Sequence, residues 1–166
     1  GLYNHTEFYK RLDNYYRSFR KQTDYLTVAV LDVDHFKRVN DTYGHENGDA
    51  VLIQIASVLK NTCCRTGHAF RYGGEEFALI FCHESESEAL EIMERVRTAV
   101  SALRFESMPG TQIGISCGIY EYTGEPMVSQ DIFARADKAL YKAKQTGRNK
   151  CVCYSQAFPA GGSTND

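Results

Sequence analysis

Midway along the chain, two apolar runs, Ala69 to Tyr72 and Phe77 to Cys82, flank Gly73-Gly74 and two glutamates. A glycine pair between strand-like runs predicts a hairpin, because glycine supplies the positive φ angles that a tight turn demands. Antiparallel pairing is therefore built into the middle of the fold. Leu26 to Leu31 is a β-branched run short enough to be a buried strand, and it ends directly on Asp32. Thr111 to Tyr120 and Lys150 to Tyr154 read as further strands.

Helical periodicity fills the intervals. Phe8, Leu12, Tyr15 or Tyr16, and Phe19 recur at helical spacing from Asn4 to about Gln22, with Asn4 and Glu7 placed as a capping box. Phe36 to Tyr43 and Asp49 to Leu59 predict two helices broken at Gly44 and Gly48. Glu84 to about Leu103 is a helix whose acidic start, Glu84, Glu86 and Glu88, reads as a solvated face suiting the helix dipole. Ser129 to Gln145 is a helix stopped by Gly147. The order is helix, strand, two helices, hairpin, helix, strand, helix, strand. It suits an α/β (α+β) fold, one sheet covered by helices.

At 166 residues this is one domain. We expect it to occupy residues 1–155, with the polar, Gly/Ser-rich residues 156–166 disordered. A formal net charge of −2 gives no basic excess for nucleic acid or anionic membrane, and no apolar run reaches the roughly 18 residues of a membrane span. The six cysteines form no CxxC, so zinc and a disulfide scaffold are poor readings. Cys82, Cys117 and Cys151 read as small buried hydrophobes in a reducing compartment. A start at Gly1 without Met leads us to expect a piece of a longer cytoplasmic protein whose parent carries a sensor or a membrane anchor.

Two constellations could carry chemistry. Asp32 and Asp34, two apart at a strand end, fall on one side and offer hard oxygen ligands to Mg²⁺, which leaves its remaining positions to phosphate and water. A capping Asp beside a solvated one is the alternative. Glu75 and Glu76, adjacent after the glycine pair, should point to opposite faces of a strand. Two like charges beside Asp32 would repel in a partly buried site unless a divalent cation intervened; alternatively they are surface glutamates of a polar hairpin tip.

Three segments together, Asp32-Val33-Asp34-His35-Phe36-Lys37 running on to Asp49, then Arg71-Tyr72-Gly73-Gly74-Glu75-Glu76-Phe77, then Ala139 to Asn149, closely resemble the GGDEF family of diguanylate cyclases. Gly1-Leu2-Tyr3-Asn4 is similar to the end of the family's opening TGLxN segment. The resemblance implies a palm-like, mostly antiparallel central sheet with the signature on a β-hairpin. It also implies condensation of two GTP into cyclic di-GMP and two pyrophosphates across a homodimer. Asp32, the Val33 carbonyl, Glu75 and Glu76 match the positions that hold two Mg²⁺ (or Mn²⁺), and Glu75 also matches the general base.

By the same resemblance, the backbone of His35, Phe36 and Lys37 matches a phosphate cradle at a helix start, with Lys37 also steadying the transition state. Lys144 and Arg148 match a triphosphate clamp, Asn40 and Asp49 match guanine readers, and His45 is a weaker substrate contact. The family's RxxD product-inhibition site would place its Arg at Cys64 and its Asp at Gly67, so that site is expected to be absent. A GGDEF domain with weak catalysis, serving as a GTP-binding or interaction module, is the alternative function. A palm domain using another base is disfavoured by Asp49.

Overall fold

The computed structural model describes residues 2–63 and 67–159. In chain order the elements are β1 (Tyr3–Asn4), α1 (His5–Ser18), β2 (Thr27–Val33), α2 (Phe36–Tyr43), α3 (His45–Cys63), β3 (Gly67–Arg71), β4 (Glu76–Phe81), α4 (Glu86–Ser101), β5 (Ile115–Glu121), α5 (Ser129–Gln145), β6 (Lys150–Cys153) and α6 (Tyr154–Ala157). One six-stranded sheet runs in the order β1-β3-β4-β2-β5-β6. The pairings of β3 with β4, β4 with β2 and β2 with β5 are antiparallel, while the two edges pair in parallel. This is the expected palm-like, mostly antiparallel sheet with helices on both faces.

β2 is buried at all seven positions because both faces of the sheet are covered. Ala29, Leu31 and Val33 join a core with Val51, Ile55 and Leu59 of α3 and Met93 and Val96 of α4. Val28 and Val30 face the other way, into a core with Phe8 and Leu12 of α1 and Ile132, Ala136 and Leu140 of α5. Each fully buried aliphatic or aromatic side chain contributes about 1.5–3 kcal/mol. The alternation also aims the chemistry: Asp32 continues the even-numbered set, so its carboxylate emerges on the α5 face. Opposite it in register stands Glu76.

Several local expectations are corrected. Asn4 does cap α1, accepting the Glu7 N–H at 3.0 Å, but the Glu7 carboxylate turns to Arg11 at 2.9 Å instead of closing a box. α1 stops at Ser18 because Phe19 leaves the helix to pack on Tyr122, ring centroids 4.8 Å apart. Gly44 breaks the chain at φ 87°, whereas Gly48 lies inside α3. Its role is space, since a Cβ there would overlap the Asn40 carboxamide across the α2–α3 crossing.

Gly73 and Gly74 do not take positive φ. The connection is four residues, Tyr72 to Glu75, between β3 and β4, and longer loops do not need the primed turns of a two-residue hairpin. Glu84 is buried and lies outside α4, whose capping box uses Ser85 and Glu88. Burial pushes its carboxyl up. The last strand ends at Cys153, and residues 156 and 157 belong to α6, anchored by Tyr154 against Tyr120 at 5.3 Å. Residues 158 and 159 follow as described residues, and residues 160–166 of the expected disordered tail lie outside the described residues, as does Cys64. Cys117 and Cys153 are buried, Cys82 and Cys151 half-buried, and none of the four is in a disulfide.

β5 and α5 touch backbone to backbone at Gly118, where a Cβ would overlap the Ala136 carbonyl oxygen and the Leu140 nitrogen. Gly118→Ala is therefore expected to cost at least about 1–3 kcal/mol, the usual range for overpacking against groups that cannot rotate away. Urea unfolding measures it, and an unchanged midpoint would show that α5 shifts freely.

Candidate active site

At the end of β2, the Asp32 carboxylate is 8% exposed and forms an ion pair with Lys144, which reaches it from the last turns of α5. Only Oδ2 takes part. Oδ1 is buried and has no hydrogen-bond partner. Glu75 and Glu76 crowd the same place. The Glu75 carboxyl is pushed up first by burial and then by the negative charge of Asp32, with Lys144 pulling the other way. Glu76 is raised by burial, Asp32 and Asp137. Asp137 on α5 is itself raised by loss of water around its carboxyl, with Lys144 opposing and Asp32 adding. Four acidic groups thus share the field of one ammonium.

The expectation that Glu75 and Glu76 point to opposite faces fails, because Glu75 precedes β4 and escapes the strand's alternation. Its carbonyl accepts the Val33 N–H at 3.3 Å, which holds the signature loop against the end of β2. Arg71 donates to the Gly73 and Gly74 carbonyls from the other side. Asp34 also departs from expectation. It lies past the strand, where its oxygens accept from Ser116 Oγ at 2.6 Å and the Asn149 N–H at 2.9 Å. It is spent on holding the turn after α5.

A hollow of about 470 Å³ gathers Asp32, Phe36, Asn40, His45, Asp49, Glu75 and Glu76, with Leu52 and Arg71 in its wall. Asn40 Oδ1, like Asp32 Oδ1, is buried without a partner. Asp49 and His45 are exposed on the first turns of α3. Across α2 a second hollow of about 420 Å³ holds Asp34, His35, Arg38 and Arg148. His35 enters α2 in the left-handed region at φ 54°. The first-turn N–H groups behind it lack intrahelical acceptors and favour an anion. Lys37 is exposed on that turn. Most of the expected residues thus line two hollows on either side of the start of α2, while Val33, Lys37 and Lys144 line neither, although Lys144 reaches Asp32.

The sequence pattern assigns no role to Asp137 or to Arg71. Asp137 stands seven residues before Lys144, two helical turns along one face, and that spacing was the available signal.

The donor set fits a divalent cation. An orphaned carboxylate oxygen beside two raised carboxyls is the arrangement that positive charge would relieve. Among the described residues no three His, Cys, Asp or Glu side chains already converge as a metal cage. Mg²⁺ does not ask for one, since it takes one or two carboxylates and completes its shell with water and substrate phosphates.

A family model described as "Diguanylate cyclase, GGDEF domain" matches residues 1–150. The chain belongs to the GGDEF family. This GGDEF domain is 37% identical over 142 residues to diguanylate cyclase A of Treponema denticola, covering 84% of the chain and 38% of that protein. The chain thus spans less than half the length of that curated relative. The GGDEF domain of DgcB from Caulobacter crescentus, crystallised with c-di-GMP, is 37% identical with a TM-score of 0.85, covering 93% of this chain and 92% of that one. The active GGEEF domain of a diguanylate cyclase from Vibrio cholerae is 28% identical with a TM-score of 0.86, covering 93% and 98%. No helix among the described residues of this GGDEF domain is long and apolar enough to cross a membrane.

Crowded acids make this site a burden on the metal-free fold. Because Glu76 is raised above its ordinary 4.5 in the folded chain, its favourable contribution is fully present below that value and is lost as pH rises through the folded one. Glu76→Gln is expected to raise the urea midpoint of the chelator-treated domain at neutral pH. The gain should vanish below about pH 4. A gain that does not change with pH would place its origin in packing.

Proposed function

We propose that this chain is the catalytic domain of a diguanylate cyclase that condenses two GTP into cyclic di-GMP with release of two pyrophosphates. The observation that carries the reading is the pair of buried, unpartnered oxygens, Asp32 Oδ1 and Asn40 Oδ1, in one hollow with Glu75 and Glu76. One is an acceptor in the carboxylate cluster that calls for a cation, and the other an acceptor in the candidate base pocket that calls for an N–H donor, so a cation-bound polyphosphate joined to a base answers both.

Each half-reaction joins a ribose 3′-oxygen to an α-phosphorus and breaks the bond from that phosphorus to the oxygen bridging to the β-phosphate; the hydroxyl proton leaves to Glu75. A carboxyl raised by burial and by Asp32 is a better proton acceptor at neutral pH than an ordinary glutamate. Two Mg²⁺ (or Mn²⁺) would be held by Asp32, the Val33 carbonyl, Glu75 and Glu76, and when bound would neutralise charge building on the attacking and leaving oxygens. Lys144 balances Asp32 and, with Arg148 and the first-turn N–H groups of His35, Phe36 and Lys37, receives the terminal phosphates.

Asn40 and Asp49 read guanine, Asp49 as an acceptor for donors that adenine lacks, with His45 at the rim. A product with two equivalent phosphodiester bonds needs two such domains facing each other, each presenting its 3′-hydroxyl to the partner's α-phosphate. Upstream regulatory domains in the whole protein would set how often two copies meet.

Glu75→Gln keeps the side chain's shape while removing its charge and its basicity. Cyclic di-GMP formation from GTP and Mg²⁺, followed by chromatography, should fall at least about a hundredfold. Activity within about threefold of the parent would overturn the assignment of Glu75. Specific activity of the unmodified chain should rise with protein concentration in the micromolar range, since two copies must meet. A flat profile over about a hundredfold dilution, with only monomer in sedimentation, would refute catalysis across a dimer.

A further inference from the structure

The loop that carries Glu75 is rooted at Tyr72. The N–H groups of Tyr72 and Gly73 both donate to the Glu76 carbonyl, at 2.9 and 3.1 Å, and two glycines then separate this root from Glu75. Glycines hold no conformation by themselves, so the pitch of the loop is set by what grips it: Arg71 on the glycine carbonyls, the Val33 N–H on the Glu75 carbonyl, and Tyr72 at its root. The Tyr72 ring leaves the loop for the helices. It stacks on Phe133 of α5 with centroids 4.4 Å apart and planes 16° apart, and meets the edge of Phe8 at 5.6 Å. Its hydroxyl shares a 2.8 Å hydrogen bond with the hydroxyl of Tyr9 on α1. The start of α1 is pinned to the same place, because Asn4, its cap, pairs in register with Arg71.

We infer that Tyr72 is a positioning residue, tying the signature loop to α1 through Tyr9 and to α5 through Phe133, and so fixing where Glu75 and Glu76 stand. The inference rests on the roles proposed above for those two glutamates. Its physical basis is connectivity. Tyr72 is the last side chain before the glycines, and its ring and hydroxyl are held by two different helices. A shift of the first turns of α1 is therefore carried to the loop. The base pocket, built on α2 and α3, takes no part in this contact.

The test compares the parent chain with Tyr9→Phe, Tyr72→Phe, the double variant and Phe133→Leu. Tyr9→Phe removes only the hydroxyl pair. It should lower kcat about three- to tenfold with KM for GTP within about twofold. Amide exchange at Tyr72 and Gly73 should quicken by a similar factor while Val28 and Val30 in β2 keep their rates. The double variant should be no worse than either single one, since both remove the same bond. Phe133→Leu, which removes the stack together with the ring contacts of Phe133 to Phe8 and Tyr9, should quicken the same two amides.

Unchanged loop exchange would overturn the inference. So would loop and core amides quickening together, or a rise in KM with kcat unchanged. If the parent forms no product, the cyclase reading falls, and the exchange rates still decide whether Tyr72 holds the loop.

Discussion

The structure turns on the charge balance at the end of β2. Asp32 is buried by the strand that carries it, and a buried carboxylate is tolerated only with a partner. Lys144 supplies one partner to one oxygen. The remaining oxygen, with Glu75, Glu76 and Asp137 close by, is left in a field that burial and repulsion make unfavourable for anions. Much of the surrounding architecture serves to hold that unfavourable group in place. β2 is locked on both faces, Gly118 brings α5 close enough for Lys144 to reach, and the Val33 N–H fixes the Glu75 carbonyl. A fold that stores repulsion in this way is one that a cation and a polyphosphate would stabilise by binding.

Much of this could be read in the residues. β2, α2 and α5 stand out because their patterns are strong and local: a β-branched run ending on an acid, and helices with clear starts or a glycine stop. What could not be read depended on contacts far away in the chain. Gly48 looks like a helix breaker until α2 is seen lying against it. Glu84 looks like part of a solvated acidic run until Thr27, 57 positions earlier, is found donating to its carbonyl at 2.7 Å. The site was legible as a set of residues and less so as a geometry, since strand alternation was applied to Glu75 and Asp34, which lie just outside their strands.

Backbone strain is distributed unevenly. Among the described residues the non-glycine positions with positive φ are His35, Arg148 and Asn149, and all three line the hollow beside α2. Such conformations cost energy and persist only where neighbours enforce them. Asp34 is the enforcer here, for it bonds the Asn149 N–H and is itself held by Ser116. A carboxylate that looked like half of a metal pair therefore spends its charge on presenting Arg148. The division of labour between Asp32 and Asp34 comes from the strand ending between them.

The two glycines of the signature sit in different surroundings, and neither takes a positive φ. A Cβ on Gly73 would sit 3.1 Å from the Glu76 carboxylate, so Gly73 leaves room for that side chain to turn back over the loop. Gly74 has nothing within 4 Å of where its Cβ would stand, although it lines the hollow with Glu75. Nothing inside the folded chain requires a glycine at that position. A side chain there would stand over the mouth of the hollow, in the space the substrate proposed above would take. Bare backbone beside clustered carboxylates leaves room for the substrate proposed above to come close to the loop, room that a side chain at Gly74 would narrow.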